Sequence, residues 1–201
     1  MEHFNQQGCF EQMQQIHIHK VVGIHAQLEN RGLLENNLVV GSTLVDMYAR
    51  CGSFGQAHQV FDKLLDRNVV LWTILISRCS EYGHFEAALN CFEQMQLEGI
   101  PPNSVTLICI LKAYGYIGAK EKGLQVHGEI ERRGLLRREY VVGNSLVDMY
   151  AKCGAIASAK EVFDKLSIRT TVSWTALMAG YAQVGDIHNV VVMFENGGQT
   201  H

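Results

Sequence analysis

The chain has 201 residues, a formal net charge of −3 and a pI near 6.3, so it lacks the general basic field that drives tight binding to nucleic acid or anionic lipid. Its six cysteines lie far apart without a C-x-x-C pair, which fits neither a disulfide framework nor a zinc site and favours a reducing compartment. No apolar run is long enough to predict a membrane span, and the opening residues MEHFNQQ lack the composition of a transit or signal peptide.

The chain contains one long stretch twice. It occurs as VVGSTLVDMYARCGSFGQAHQVFDKL from Val39 and as VVGNSLVDMYAKCGAIASAKEVFDKL from Val141, an offset of 102 residues. Because this offset is about three times the period of a helical-hairpin repeat, it predicts an array of unequal units. The low proline content favours helix throughout.

Residues 1–37 are a degenerate copy of a later segment. The stretch Ile24–Leu34 matches Val126–Leu136 at the same offset of 102 residues and predicts a helix. An earlier, separate helix is expected at roughly Asn5–Gln15. This part is rich in glutamine and poor in periodic apolar residues, so we expect a frayed end.

The first clean unit covers residues 38–68 and predicts two short helices. Cys51-Gly52 should end the first helix, because glycine adopts the left-handed conformation that stops a helix. Ser53 is expected to cap the second helix through its hydroxyl, with Gln56 three residues later as in a capping box. The two apolar stripes have helical spacing and comprise Leu44, Val45, Tyr48, Ala49, Ala57, Val60, Phe61 and Leu64.

Four further units follow, at residues 69–103, 104–139, 140–170 and 171–201. The first three clean units have 31, 35 and 36 residues, and the fourth restates the first. The pattern fails after Phe194-Glu195, so the last unit is expected to lack a complete second helix. Because one short hairpin cannot bury both of its stripes alone, neighbouring hairpins must stack, and the predicted fold is an all-α solenoid.

These unit lengths and four motifs resemble a known family. The motifs are LVDMYAKCG, AxxVFDKL, VSWTALMAGYAQVG and FEQMQLEGIPPN, and between about Ile24 and Glu195 the chain resembles the plant PLS subclass of pentatricopeptide repeat proteins. The resemblance implies a right-handed α-solenoid with a degenerate L-type repeat at 1–37, an S-type at 38–68, a P-type at 69–103, an L-type at 104–139, an S-type at 140–170 and a truncated P-type at 171–201.

The resemblance also implies a function. Tracts of this kind bind single-stranded organellar RNA, in the mitochondrion or the chloroplast, and choose a site for C-to-U editing or related processing. Editing-factor partners are expected to dock on the L-type unit 104–139. The tract itself is expected to be no enzyme and to need no metal or cofactor, because no nucleophile with a base, metal cage or phosphate loop is present.

A valine occupies the second position of every clean unit. These residues are Val39, Val70, Val105, Val141 and Val172. An apolar residue at this position can simply pack in the core. The resemblance implies instead that successive valines sandwich successive bases, and a stiff β-branched side chain suits such a role.

Polar side chains fill most of the fifth and last positions. The fifth positions hold Ser42, Thr73, Ile108, Asn144 and Thr175, and the last positions hold Asn68, Asn103, Glu139 and Thr170. The polar residues at these positions can cap the first helix of a unit. The resembled family, however, reads one base per repeat with two or three side chains. The resemblance therefore implies that all of them except Ile108 and Glu139 recognise bases.

Hydrogen-bonding patterns suggest which base each unit reads. Adenine N1 and cytosine N3 are acceptors, so an asparagine amide can donate to them. A short fifth residue leaves room for a purine, so Ser42 with Asn68, and Thr73 with Asn103, are predicted to prefer adenine.

The remaining units are less selective. Asn144 implies a pyrimidine, but its partner Thr170 does not decide whether the unit prefers cytosine or uracil. Ile108 with Glu139 is predicted to read no base firmly, and Thr175 implies a purine. Read parallel to the chain, the predicted target is 5′-A-A-N-Y-R-3′.

Other constellations favour structural interpretations. His17, His19 and His25 are interpreted as helix-surface histidines, since residues two apart on a helix point to different faces. His84-Phe85-Glu86 spells half of a zinc deaminase signature, but the C-x-x-C that would hold the ion is missing, so His84 is expected to start a helix. Trp72 and Trp174 are predicted to lie in the core, and Cys51 and Cys153 to pack at hairpin turns. The basic stretch 132–138 is interpreted as a solvated helix end.

Two other functional classes stay open. The chain can be a protein-interaction scaffold that binds a peptide on its concave face, in which case charged or aromatic side chains should decide binding. It can also be a nonfunctional fragment, because the repeat pattern is broken near both ends.

Overall fold

The structure, a computed structural model, describes the backbone of residues 2–34 and 37–197 and the side chains of residues 15–34 and 37–195. Every secondary-structure element in these ranges is a helix, which confirms the predicted all-α class. The chain divides into two compact units, Met1–Pro102 and Asn103–His201. None of the helices in the described ranges has the length and apolarity needed to cross a bilayer.

Five helices lie in the described residues of the first compact unit. Their bounds are Glu2–Asn30 (α1), Leu38–Arg50 (α2), Phe54–Lys63 (α3), Val69–Glu81 (α4) and Phe85–Leu97 (α5). Helices α2 and α3 form one antiparallel hairpin and α4 and α5 form the next, while α2 also packs against α4 and α1. The first helices of consecutive hairpins therefore lie side by side.

The second compact unit repeats this arrangement. Its helices are Ser104–Ile117 (α6), Lys120–Arg132 (α7), Leu135–Arg138 (α8), Tyr140–Lys152 (α9), Ile156–Lys165 (α10), Thr171–Gln183 (α11) and Ile187–Gly197 (α12). Helices α6, α9 and α11 are the first helices of successive hairpins, and α9 packs between the other two. The single turn α8, within the basic stretch 132–138, is an element that the sequence did not predict.

The apolar stripes form the core of each hairpin, as predicted. All eight stripe residues, seven within α2 and α3 and Leu64 directly after α3, are at most 4% exposed: Leu44, Val45, Tyr48, Ala49, Ala57, Val60, Phe61 and Leu64. Burial of one such large apolar side chain contributes roughly 1.5–3 kcal/mol to folding. Because each hairpin has too few of them to close a core alone, the stability comes from stacking.

The hairpin turns use left-handed glycines. Gly52 has φ 74°, and the N–H of the following residue, Ser53, donates to Tyr48 O over 2.9 Å. The predicted capping box at Ser53 is wrong, because its side chain makes no capping hydrogen bond. Ser53 adopts φ −90° and ψ 62° to make the backbone contact with Tyr48, which is not the extended conformation usual for a capping serine.

Both ends differ from the sequence-based expectation. Residues 2–30 form one helix, α1, and not a frayed helix followed by a second one. The reason is that no proline or left-handed glycine interrupts this stretch: Gly23 is helical. At the other end, α12 continues to Gly197, two residues beyond Glu195, and residues 198–201 lie outside the described residues.

Candidate nucleic-acid interface

The second-position valines lie at the surface. Each occupies the first turn of the first helix of a hairpin, and the exposed fractions of Val39, Val70, Val105, Val141 and Val172 are 73, 56, 52, 43 and 59%. The interpretation of these residues as core packing is therefore wrong. Exposed β-branched side chains recur at one fixed position of every hairpin, where each can contact a ligand.

The last-position polar residues cap the helices that follow them. Asn68 Oδ1 accepts hydrogen bonds from Val70 N and Leu71 N, both 3.1 Å long. Asn103 Oδ1 accepts one from Thr106 N over 2.9 Å, and Thr170 caps α11. The capping interpretation is thus confirmed for these three residues.

Capping also orients the amide of Asn68. Its Oδ1 faces the first turn of α4, so Nδ2, the donor end, points away from that turn. An aspartate can form the same cap, because it presents the same acceptor geometry to the amides. The cap therefore forms whether the atom that points away from α4 is a donor, as in asparagine, or an acceptor, as in aspartate.

The short fifth-position side chains bond to their own helices. Ser42 Oγ donates to Val39 O over 3.1 Å, Thr73 Oγ1 to Val69 O over 2.6 Å, and Thr175 Oγ1 to Thr171 O over 2.8 Å. Since the hydroxyl hydrogen is directed to the backbone, the oxygens of Ser42 and Thr175 offer acceptor lone pairs on their other side.

One predicted pair meets directly in the second compact unit. Asn144 Nδ2 donates to Thr170 Oγ1 over 2.9 Å, which joins the fifth and last positions of one repeat. Asn144 is only 5% exposed, and its Oδ1 is buried without a hydrogen-bond partner. A buried acceptor without a partner costs roughly 1–3 kcal/mol, so a ligand N–H placed there would be favoured.

This pair lies in the wall of a groove of about 630 Å³. Five sequence-predicted positions line the groove, namely Ile108, Val141, Asn144, Thr170 and Val172. The volume falls in the range of small-ligand sites. The fifth, second and last positions of neighbouring repeats therefore face one common space.

Glu139 behaves differently from the other last-position residues. It makes no cap with its side chain, and its Oε1 accepts a hydrogen bond from Ser104 Oγ over 2.7 Å. The carboxylate is thus bonded to the start of α6. Ile108, at the fifth position of the same unit, is half-buried and has no polar atom in its side chain.

The structural interpretations of the other motifs hold with one exception. Trp72 packs edge-on against Phe61 with ring centroids 4.4 Å apart, and Trp174 packs likewise against Phe163 at 4.8 Å. His84 precedes α5 as its N-cap residue. Within the described side chains no group of three His, Cys, Asp or Glu residues could hold a metal ion.

The exception is His25, which is not a surface histidine. Its Nδ1 lies 3.0 Å from the Tyr48 hydroxyl, and the ring is half-buried. The same contact recurs 102 residues later, so it is a feature of the repeat and not an isolated side chain.

Sequence comparison assigns this architecture to a family. A sequence model of the PPR repeat family matches residues 67–116, and a model of the PPR repeat matches residues 42–69, 144–168 and 172–196. Together these matches cover more than half of the chain. The chain belongs to the pentatricopeptide repeat (PPR) family.

Two curated relatives come from Arabidopsis thaliana. The putative pentatricopeptide repeat-containing protein At3g15130 is 42% identical over 149 residues, which is 74% of this chain and 22% of the relative. The chloroplastic pentatricopeptide repeat-containing protein At4g18520 is 38% identical over 171 residues, which is 85% of this chain and 27% of the relative. The chain thus spans about a quarter of these relatives, and other matched PPR proteins of that plant include a mitochondrial one.

A solved PPR structure has the same fold. The maize protein PPR10 in complex with an 18-nt psaJ RNA element matches with a TM-score of 0.73 and 19% identity, over 89% of this chain and 27% of that chain. The likeness confirms the fold class, an α-solenoid of PPR hairpins.

Three further residues at PPR repeat positions were not predicted from the sequence. Asn37 caps α2 by accepting from Val40 N over 3.1 Å, as Asn68 does for α4. Its place directly before Leu38 was the available signal. Lys112 and Tyr140 also line the groove, but no repeated pattern marks them, because their positions hold other residue types in the other units.

Proposed function

We propose that this chain is part of a PLS-type PPR tract that binds single-stranded RNA with one repeat for each base. The observation that carries the proposal is the Asn144–Thr170 pair in a groove lined by the exposed valines Val141 and Val172. A flat base fits between two such valines while its edge meets the polar pair. The likeness to PPR10, whose structure contains an RNA element, supports the same function.

The adenine preference follows from the capped asparagines. With Oδ1 of Asn68 engaged by the helix, Nδ2 is the end that meets a base and donates to adenine N1. The lone pairs of Ser42 Oγ can accept from the adenine amino group. Guanine reverses this pattern, because its N1 carries a hydrogen and its O6 is an acceptor. For Thr73 and for Asn103 we propose adenine as well, because their residue types match those at the same positions of the first clean unit.

The fourth unit presents the opposite polarity. Because Asn144 Nδ2 donates to Thr170, the amide directs its acceptor Oδ1 away from Thr170, while the Thr170 hydroxyl can donate. Cytosine complements this arrangement through its amino group and N3. Rotating the amide by 180° reverses the pattern and fits uracil, so the unit is assigned a pyrimidine.

We therefore propose 5′-A-A-N-Y-R-3′ as the bound sequence, read parallel to the chain. The net charge of −3 provides little phosphate attraction, and five nucleotides offer few contacts. We expect a Kd of about 1 µM, which corresponds to about −8 kcal/mol. The salt dependence should be shallow, because few phosphates are neutralised.

Fluorescence anisotropy with labelled single-stranded RNA tests this function. The parent chain should prefer adenine at the first nucleotide, and Asn68→Asp should prefer guanine there, since a carboxylate accepts from N1–H. Asn90→Asp, which adds the same charge on the exposed side of α5, is the matched control and should keep the adenine preference. Equal binding of target and scrambled RNA by the parent would refute base reading, and no binding of either RNA would favour the scaffold alternative.

The role of the whole protein is a wider part of this proposal. We propose an organellar protein, in chloroplast or mitochondrion, that selects a transcript site for editing or processing, and in which this tract binds and performs no chemistry. The labels of the curated relatives support an organelle. Editing factors would dock on the unit 104–139, where Tyr116, Ile117 and Leu124 are 72, 46 and 58% exposed.

A further inference from the structure

Tyr140 places an aromatic ring in the groove of the second compact unit. It is the first residue of α9, is 50% exposed and lines the groove beside Val141. No other clean unit has an aromatic residue at its first position, where Leu38, Val69, Ser104 and Thr171 stand. The ring is therefore an addition to the repeat pattern, at one place only.

The fifth and last positions of the unit 104–139 supply no hydrogen-bond donor for the base of its nucleotide. Ile108 offers no hydrogen bond, and Glu139 Oε1 is engaged by Ser104 Oγ over 2.7 Å. Charge is also a weak source of affinity here, because the groove carries both Lys112 and Asp148. The favourable contact left for this nucleotide is with the face of its base.

We infer that Tyr140 stacks on the base of the third nucleotide, which the unit 104–139 faces. The ligand is a single-stranded RNA base of any identity, because every base has a face that can stack. The inference rests on the proposed function and adds to it. The residues at the fifth and last positions of the L-type unit predict only a spacer, whereas stacking on Tyr140 makes the unit bind a base of any identity.

The test measures the energetic coupling between the ring and that base. Anisotropy titrations would compare the parent with Tyr140→Ala, Tyr140→Phe and Tyr116→Ala, using 5′-AANYR-3′ RNA and versions with an abasic site at the third or the fourth nucleotide. Tyr116, 72% exposed on α6, is the matched control because its ring does not line the groove. Circular dichroism confirms that each variant is folded.

Tyr140→Ala should weaken binding of the intact RNA by about 5- to 150-fold, the range for loss of one base–aromatic stack. Tyr140→Phe and Tyr116→Ala should stay within about twofold, because the first keeps the ring and the second lies elsewhere. With the third nucleotide abasic, Tyr140→Ala should lose no further affinity.

Three results would overturn the inference. The first is that Tyr140→Ala binds intact RNA with the affinity of the parent. The second is that Tyr140→Ala loses the same affinity for intact RNA and for RNA abasic at the third nucleotide. The third is that the effect of Tyr140→Ala disappears when the fourth nucleotide, and not the third, is abasic. If the parent binds RNA without base preference and the third-nucleotide coupling persists, base reading fails while stacking stands. If the parent prefers adenine and Tyr140→Ala binds RNA as tightly as the parent, only the stacking inference is refuted. No RNA binding by the parent overturns both.

Discussion

His127 Nδ1 lies 3.0 Å from the hydroxyl oxygen of Tyr150, in an edge-on contact between α7 and α9. The first compact unit has the same contact between His25 and Tyr48, also 3.0 Å long. Each links the long helix that precedes one of the duplicated units, 38–68 or 140–170, to the first helix of that unit. The contact is thus a polar interaction that recurs at the same place in the two duplicated segments.

Mildly acidic pH should weaken the contact between His127 and Tyr150. Burial lowers the pKa of His127, and the attraction of Glu131, 3.5 Å from Nε2, opposes this effect only partly, while Lys165 adds to it. Because the folded-state pKa is lowered, the unfolded chain binds more protons at mildly acidic pH. The free energy of unfolding should therefore fall as the pH drops below about 6.5, the ordinary value for histidine, and level off below the lowered pKa.

Urea unfolding between about pH 8 and about pH 5 measures this dependence. In His127→Gln the residue no longer titrates, so the decline below about pH 6.5 should be shallower than in the parent chain. An unchanged slope in this variant would assign the pH dependence to other groups.

The cap on α4 predicts separate effects on stability and on RNA recognition. Asn68→Ala should lower the free energy of unfolding by about 1 kcal/mol, because two backbone amides lose their acceptor. Asn68→Asp should keep the stability, since aspartate caps as well and its charge suits a helix N-terminus. Denaturation without RNA measures both variants. Asn90→Ala, an exposed position inside α5, is the control and should not destabilise the chain.

Two helical glycines, Gly180 at the contact between α9 and α11 and Gly128 on α7, should respond oppositely to substitution by alanine. A Cβ on Gly180 would lie 2.8 Å from Ala151 Cβ and 2.8 Å from Ile156 Cδ1, and the short Ala151 side chain cannot rotate away. Gly180→Ala should therefore destabilise the protein by about 1–3 kcal/mol. Gly128→Ala should stabilise it by about 0.5–1 kcal/mol, because Gly128 is helical with nothing within 4 Å of the added atom. Thermal denaturation that gives both changes the same sign would contradict the tight packing.

The fourth unit should become selective for uracil when its hydroxyl is replaced by a carboxylate. In Thr170→Asp the carboxylate can accept only, from Asn144 Nδ2 and from uracil N3–H, while cytosine N3 is itself an acceptor. The ratio of affinities for uracil over cytosine at the fourth nucleotide should rise about tenfold, the effect of about 1.4 kcal/mol. Anisotropy with the two RNAs measures it, and Ser167→Asp controls for the added charge. An unchanged ratio would mean that Thr170 takes no part in base recognition.

The sequence predicted those parts of the fold that depend on local patterns. The 102-residue offset and the Cys-Gly turns place α2, α3, α9 and α10, because periodic apolar residues and a left-handed glycine act within a few residues. The two separate helices expected in residues 1–37 are wrong, because nothing between Glu2 and Asn30 stops the helix, whereas the alignment with a later segment implied a two-helix unit. At Ser53 the backbone contact with Tyr48 competes with capping, and residue types alone do not decide that competition.

The site was predictable only where it repeats. The valines and the polar positions stand out because five units align. The His25–Tyr48 contact joins residues 23 apart on different helices, so spacing on one helix could not predict it. The base-recognition roles of these residues stay predictions.

A buried indole provides the last prediction. Trp72 Nε1 donates to Glu98 Oε2 over 3.1 Å, and Glu98 Oε1 pairs with Arg67, which also covers the Phe61 ring. Glu98→Ala would leave the buried N–H without an acceptor, at a cost of about 1–3 kcal/mol. Urea denaturation should show this loss in full for Glu98→Ala and only a small part of it for Glu98→Gln, which keeps an acceptor oxygen. Equal losses in both variants would assign the stability to the charge of Glu98 and not to the indole hydrogen bond.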